Sequence, residues 1–219
     1  MDLPRTPWLR SRPAAYAALC AVPGVGLGVA GLFHPHSLSY ETSTMWYGLH
    51  VPGLLFFPLV GLALLAPVRG RTDAVSWVVR LTAYGYMTFY SALDVVSGIG
   101  AGYVTRELGP DEPRPPAVSL MFGIGTPLGE IGSWSLLACC VVLLADQVRR
   151  LGAPALVGLL LLPGAWLVHV GHIFSPEGVA GMLLLAAGTA GLVYLGAARA
   201  TRVSNSTDNA TNEGSRASS

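Results

Sequence analysis

Six stretches of this chain stay apolar for about twenty residues or more, long enough to cross the hydrocarbon core of a bilayer as helices. They lie at 14–33, 45–67, 76–101, 118–145, 154–174 and 178–198. Lipid offers no partner to a backbone amide or carbonyl, so a chain built this way must satisfy its own hydrogen bonds, and helices do that within each segment. The expected fold is an all-α integral membrane bundle of six transmembrane helices over residues 1–200, followed by a disordered cytoplasmic tail at 201–219. The first stretch follows Arg5, Arg10 and Arg12 as a signal peptide would, but its length predicts a spanning helix.

Composition agrees with that solvent. Hydrophobic residues make up 52% of the chain and charged residues only 11%, too lopsided for a soluble core to hide. The net charge of +1 leaves no basic face of the size nucleic acid requires. All basic residues are Arg, so Schiff-base chemistry through a lysine is excluded. Cys20, Cys139 and Cys140 fall in apolar runs and form neither a disulfide framework nor a CxxC pair, which marks them as core residues. The arginines alternate between connections. Arg5, Arg10, Arg12, Arg69, Arg71, Arg80, Arg149, Arg150, Arg199, Arg202 and Arg216 belong to one side, which predicts a multi-pass cell-membrane protein with both termini cytoplasmic. The polar loop at 103–116 carries only Arg106 and Arg114, against Glu107, Asp111 and Glu112.

Within the third apolar run stands Asp94. A charge at bilayer depth costs about 2.5–3.5 kcal/mol on insertion scales, so this acid is expected to face protein and to serve a function. Tyr86, Tyr90 and Asp94 follow one another at helical spacing and form one stripe. A second stripe is Phe122, Thr126, Glu130 and Trp134, with a break expected at Pro127; Trp46 precedes His50 by four residues, and Trp166 precedes His169 by three. With the arginine bias, His34, His36, Tyr40, Glu41, His50, Asp94, Glu130, His169 and His172 all fall in the half of the bundle away from the arginines. Carboxyl groups in an apolar chamber can be held protonated as general acids, and aromatic faces stabilise a carbocation without attacking it. The same aromatic residues also suit interfacial belts, and the loop histidines suit an exposed surface.

An all-helical membrane chain of this length with Tyr-Ser-Ala-Leu-Asp94 on one helix and Leu-Gly-Glu130 on another resembles the small integral-membrane terpene cyclases of meroterpenoid and indole-terpenoid pathways. The resemblance implies protonation of a terminal alkene or epoxide on a prenylated, for example farnesylated, substrate, cyclisation through cations, and loss of a proton, with no metal or other cofactor. In that reading Asp94, Glu130 and Glu41 are catalytic, while Tyr86, Tyr90, Trp46, His50, Phe122, Trp134 and Trp166 bind the substrate. The partners are then an isoprenoid-bearing small molecule and the bilayer. The DxDD and DDxxD motifs of the soluble cyclases are missing. Two other classes use the same residues. His34, His36, His50, His169 and His172 could ligate a metal or haem in an oxidoreductase or hydrolase, or Asp94 and Glu130 could relay protons in a small carrier.

Overall fold

The computed structural model describes residues 12–110 and 116–217, so Arg5, Arg10, Asp111, Glu112 and Arg114 lie outside the described residues. Among the described residues seven α-helices form the bundle: α1 Pro13–Leu32, α2 Tyr40–Leu64, α3 Ala74–Leu93, α4 Ala101–Leu108, α5 Pro116–Leu151, α6 Leu161–Gly171 and α7 Glu177–Ala217. A π-helical segment, Asp94–Gly100, joins α3 to α4 without a loop; a 3-10 segment, Ala153–Leu160, leads into α6. No strand occurs among the described residues. Five helical runs among the described residues are long and apolar enough to cross a membrane: Pro13–Leu32, Tyr40–Val68, Pro116–Leu151, Ala153–Gly171 and Glu177–Arg202. The run from Ala74 to Leu108 is not among them, because Arg80, Asp94, Arg106 and Glu107 interrupt its apolar character.

Close packing follows from small residues at crossings. Gly24, Gly28 and Gly31 let α1 lie against α7 near Ala186, Leu183 and Val179, where an added Cβ would meet backbone or side-chain atoms. On α3, Ser76, Val79, Ala83, Tyr86 and Tyr90 recur at helical spacing and form the buried face, packed along α5. Gly132 of α5 touches the backbone of Tyr90 there. Cys139 and Cys140 are buried free thiols in the same core, as their apolar setting predicts, and Cys20 is partly buried.

Three expectations change at the level of secondary structure. Pro127 does not break its helix: α5 runs through it for 36 residues. Proline inside a helix frees the carbonyl four residues back, here that of Gly123, without ending the helix. The fifth apolar run is α-helical only in its second half, since Pro163 cannot donate an amide to the preceding turn and the chain tightens into a 3-10 form before it. Helix α7 continues to Ala217, through the stretch expected to be disordered beyond Thr201. Once a helix has nucleated, each added residue gains a hydrogen bond, so a polar sequence can extend it.

At the arginine-rich end a charge network centres on Arg71 and Asp146. Arg71 makes two hydrogen bonds to Asp146, 2.5 Å and 2.9 Å, and two more to Asp73, both 2.9 Å. Arg150 and Gln147 also donate to Asp146, and Arg80 caps the carbonyls of Arg71 and Val68. The Arg71 guanidinium holds the Asp73 carboxyl down at about 2. This network ties the α2–α3 connection to the end of α5.

Candidate functional site

A cavity of about 320 Å³ opens in the half of the bundle opposite that network. Its wall is assembled from α2 (Trp46, His50), α3 and the π segment (Tyr90, Leu93, Ser97, Gly98), α5 (Phe122, Thr126, Gly129, Glu130, Ser133) and the end of α6 with the turn beyond it (Val168, His169, His172, Phe174). The size is at the lower end of the range for small-molecule pockets, and the lining is mainly apolar and aromatic with a few convergent polar groups, as such pockets usually are.

The π segment shapes the wall next to α2. A π turn holds more residues than an α turn and is common at functional sites. Here it turns the Ser97 carbonyl toward α2, where the buried Trp46 indole N–H donates to it at 3.1 Å. Gly98 follows, and a Cβ there would overlap the His50 ring. Glycine is thus required by the close approach of ring and backbone. The Ser97 hydroxyl reaches the Met121 carbonyl on α5 at 3.4 Å, so the segment is held from both sides.

Asp94, the first residue of the π segment, is 1% exposed and neither carboxyl oxygen has a hydrogen-bond partner. It sits against Gly53 of α2, with Oδ1 3.9 Å from His50 Nε2. It does not reach the cavity surface. His50 stands between, so the expected chamber-wall position of Asp94 is corrected to one layer behind the wall. The cause is the widened turn, which lets Leu93, Ser97 and Gly98 take the surface. Asp94 is not paired to Arg80 or Arg106; Arg80 is bound to Ser76 and backbone carbonyls, and Arg106 to Glu107 while lying over Tyr47 and Tyr103.

His34 is the residue whose environment departs most from expectation. Although it lies in the connection between α1 and α2, it is only 4% exposed, and its Nε2 lies 3.4 Å from His50 Nε2. Each of these rings is oriented by a carbonyl: His34 Nδ1–H donates to Pro35 at 2.8 Å, and His50 Nδ1–H donates to Trp46 at 2.6 Å. A carbonyl can only accept, so both Nδ1 atoms carry hydrogen and both Nε2 lone pairs turn toward one another. Burial, then the neighbouring His50, lowers the His34 pKa to about 4. Trp46, Phe174 and His50 surround its ring with centroids 4.7–4.9 Å away.

Behind this pair, Tyr90 shares a 2.6 Å hydrogen bond with His172 Nδ1 and stacks on the same ring. His172 has φ 50, a left-handed value rare for a residue with a side chain, at the turn that ends α6. That conformation folds His172 and Phe174 back over the cavity. Tyr86 lies deeper, 5.3 Å from the Tyr90 ring, with its hydroxyl buried and unpartnered. The expected stripe is therefore real, but Tyr90 alone of its three members touches the cavity.

On the opposite wall, Glu130, Phe122 and Thr126 line the cavity as one face of α5. Ser133 donates to the Glu130 carbonyl at 3.0 Å, so its oxygen accepts from His169 Nδ1–H at 2.8 Å, leaving His169 Nε2 as a lone pair. Trp134 and Trp166 are 52% and 49% exposed and flank His169 outside the cavity lining. Neither lines the cavity, because the α5 stripe turns outward one turn past Glu130.

Glu41 is exposed in the first turn of α2, where its carboxylate accepts from Ser39 at 2.6 Å. It stabilises a helix start and stands apart from the cavity. His36 is exposed and only stacks on Phe174, and His169 is engaged with Ser133. The five histidines thus occupy three places, and among the described residues no three His, Cys, Asp or Glu side chains are grouped to hold a metal ion. Phe174 and Ser133 belong to the site without any sequence signal to mark them. The chain matches no protein-family model, no curated protein and no solved structure.

Proposed function

We propose that the cavity is the active site of a membrane-embedded acid–base enzyme acting on an apolar substrate, and that its reaction is the proton-initiated cyclisation of a prenylated molecule. The observation that carries this reading is the combination on one wall: a buried, unpartnered carboxyl at Asp94 lies 3.9 Å behind His50, which faces a cavity ringed by Trp46, Tyr90, Phe122 and Phe174. Asp94 and His50 hold the proton on that side, and Glu130 supplies the acid or base opposite. The rings stabilise positive charge that develops between them. Prenyl chains are soluble in lipid, so such a substrate arrives through the bilayer.

In this reading the Ala74–Leu108 run is a sixth span, sheltered by its neighbours, and the Arg71–Asp146 end faces the cytoplasm. The cavity then lies in the outer half. The direct test is turnover of a farnesylated acceptor in membranes by wild type, Asp94→Asn and Glu130→Gln. Loss of product in both variants supports the assignment, and wild-type turnover in both removes it. Topology is tested with Glu107→Cys and Arg149→Cys and a membrane-impermeant thiol reagent, which should label them from opposite faces.

A further inference from the structure

Around His50 the number of protons does not follow from its hydrogen bonds alone. His34 Nε2 and His50 Nε2 meet at 3.4 Å as two lone pairs, with both Nδ1 positions fixed as donors, and the Asp94 carboxyl approaches the same His50 atom to 3.9 Å with no other partner. With no proton among them, these atoms would bury an uncompensated carboxylate beside two facing lone pairs. With two protons they would bury a net positive charge. One proton makes the group neutral and fills the gap between the nitrogens.

We propose that His34, His50 and Asp94 form a one-proton store that exchanges with solvent through His34 and serves the cavity through His50. His50 is the member that touches both others and lines the cavity, whereas His34 and Asp94 lie behind it. His34 occupies the connection beside the exposed His36, so it is the member nearest solvent along the chain. Tyr86 and His36 also stand near the triad without a hydrogen bond to it, and the remaining titratable groups against it are Tyr90 and His172. These are committed to one another by their 2.6 Å hydrogen bond, which keeps them from neutralising Asp94. Loading adds one proton from water to the deprotonated triad and changes its charge from −1 to 0; delivery returns it to −1.

As the proton source for the proposed reaction, this store rests on that reading; as a proton-binding site it is measurable with no substrate present. The experiment uses the full chain in lipid nanodiscs at neutral pH, with nitrogen NMR of labelled histidines to count imidazolium and infrared difference spectra against Asp94→Asn to detect a protonated carboxyl. One proton in total supports the store, whether it resides on the imidazole pair or on Asp94. A count of zero or of two overturns it. His34→Gln is expected to keep the proton on His50 and Asp94 but slow its exchange with deuterated water. Unchanged exchange would overturn the role of His34 as the entry. A confirmed store in a protein that cyclises nothing would separate this inference from the proposed function.

Discussion

The two ends of the bundle treat buried charge in opposite ways. At one end Asp146 accepts from Arg71, Arg150 and Gln147, and Arg71 in turn grips Asp73, so each of these groups has partners at 2.5–3.1 Å. At the other, Asp94 has none, and its nearest candidate is an imidazole at 3.9 Å. Both are carboxyl groups on helices of one bundle. A satisfied network fixes elements in place, whereas a buried acid left short of partners calls for another explanation, and the proposed acid–base role of Asp94 rests on that contrast.

The largest expected effect sharpens this contrast. Asp94→Asn should lower turnover of a prenylated substrate by about 10²–10⁴-fold, the usual span for a lost acid–base group, while thermal unfolding in detergent stays at or above the wild-type temperature. A drop in stability without loss of turnover would break the comparison. Asp146→Ala should do the reverse. Removing one partner of a buried ion pair strands the other, at a cost of about 3–5 kcal/mol, somewhat less here because Arg150 is half exposed. Turnover per folded molecule should persist.

Gly98→Ala forces a methyl group into the His50 ring, and an overpacked contact of this kind costs about 1–3 kcal/mol. Its signature is a loss of turnover larger than the loss of folded protein, with Gly123→Ala, which meets open space, as the control. The smallest effect concerns acid. His34 has an ordinary pKa near 6.5 when unfolded and about 4 when folded, so between these values the unfolded chain binds more protons. Stability should hold above pH 6.5 and decline as pH falls toward 4. Melting temperatures across that range should show the decline in wild type and a flatter profile in His34→Gln.

How much of this could be read beforehand depends on the range of the interaction. Tyr86, Tyr90 and Asp94 share a face because α3 is a regular helix, and helical spacing is local. Phe122, Thr126 and Glu130 were legible for the same reason. Trp134 follows them in register, but whether a helix face meets protein or lipid at a given turn is decided by its neighbours, and there the Trp134 ring meets Trp166 and His169 while staying half exposed. His34 reads as a surface loop residue beside Pro35, and its burial comes from the turn through His172 and Phe174, more than a hundred positions away. Glu41 reads as an acid near the site, yet Ser39 two residues earlier makes it part of a helix cap. Asp146 carries no motif at all; only the folded chain brings Arg71 to it.

The π segment between Asp94 and Gly100 has a consequence for how this protein can vary. Seven residues wound at the wider pitch hold about one more residue than α-helical winding needs. The excess works as a phase adjuster. It lets a single uninterrupted rod present Tyr90 and Asp94 by one register and Trp46's acceptor at Ser97 by another. Loss of one residue there would restore plain α winding while α4 keeps nearly its present orientation, because the wider turn holds about the one residue that is removed; it would shift the Ser97 carbonyl away from the Trp46 indole, all without shortening a loop. Length changes of a single residue in this segment are therefore the route by which the wall beside His50 can be re-aimed while both ends of the rod stay where they are.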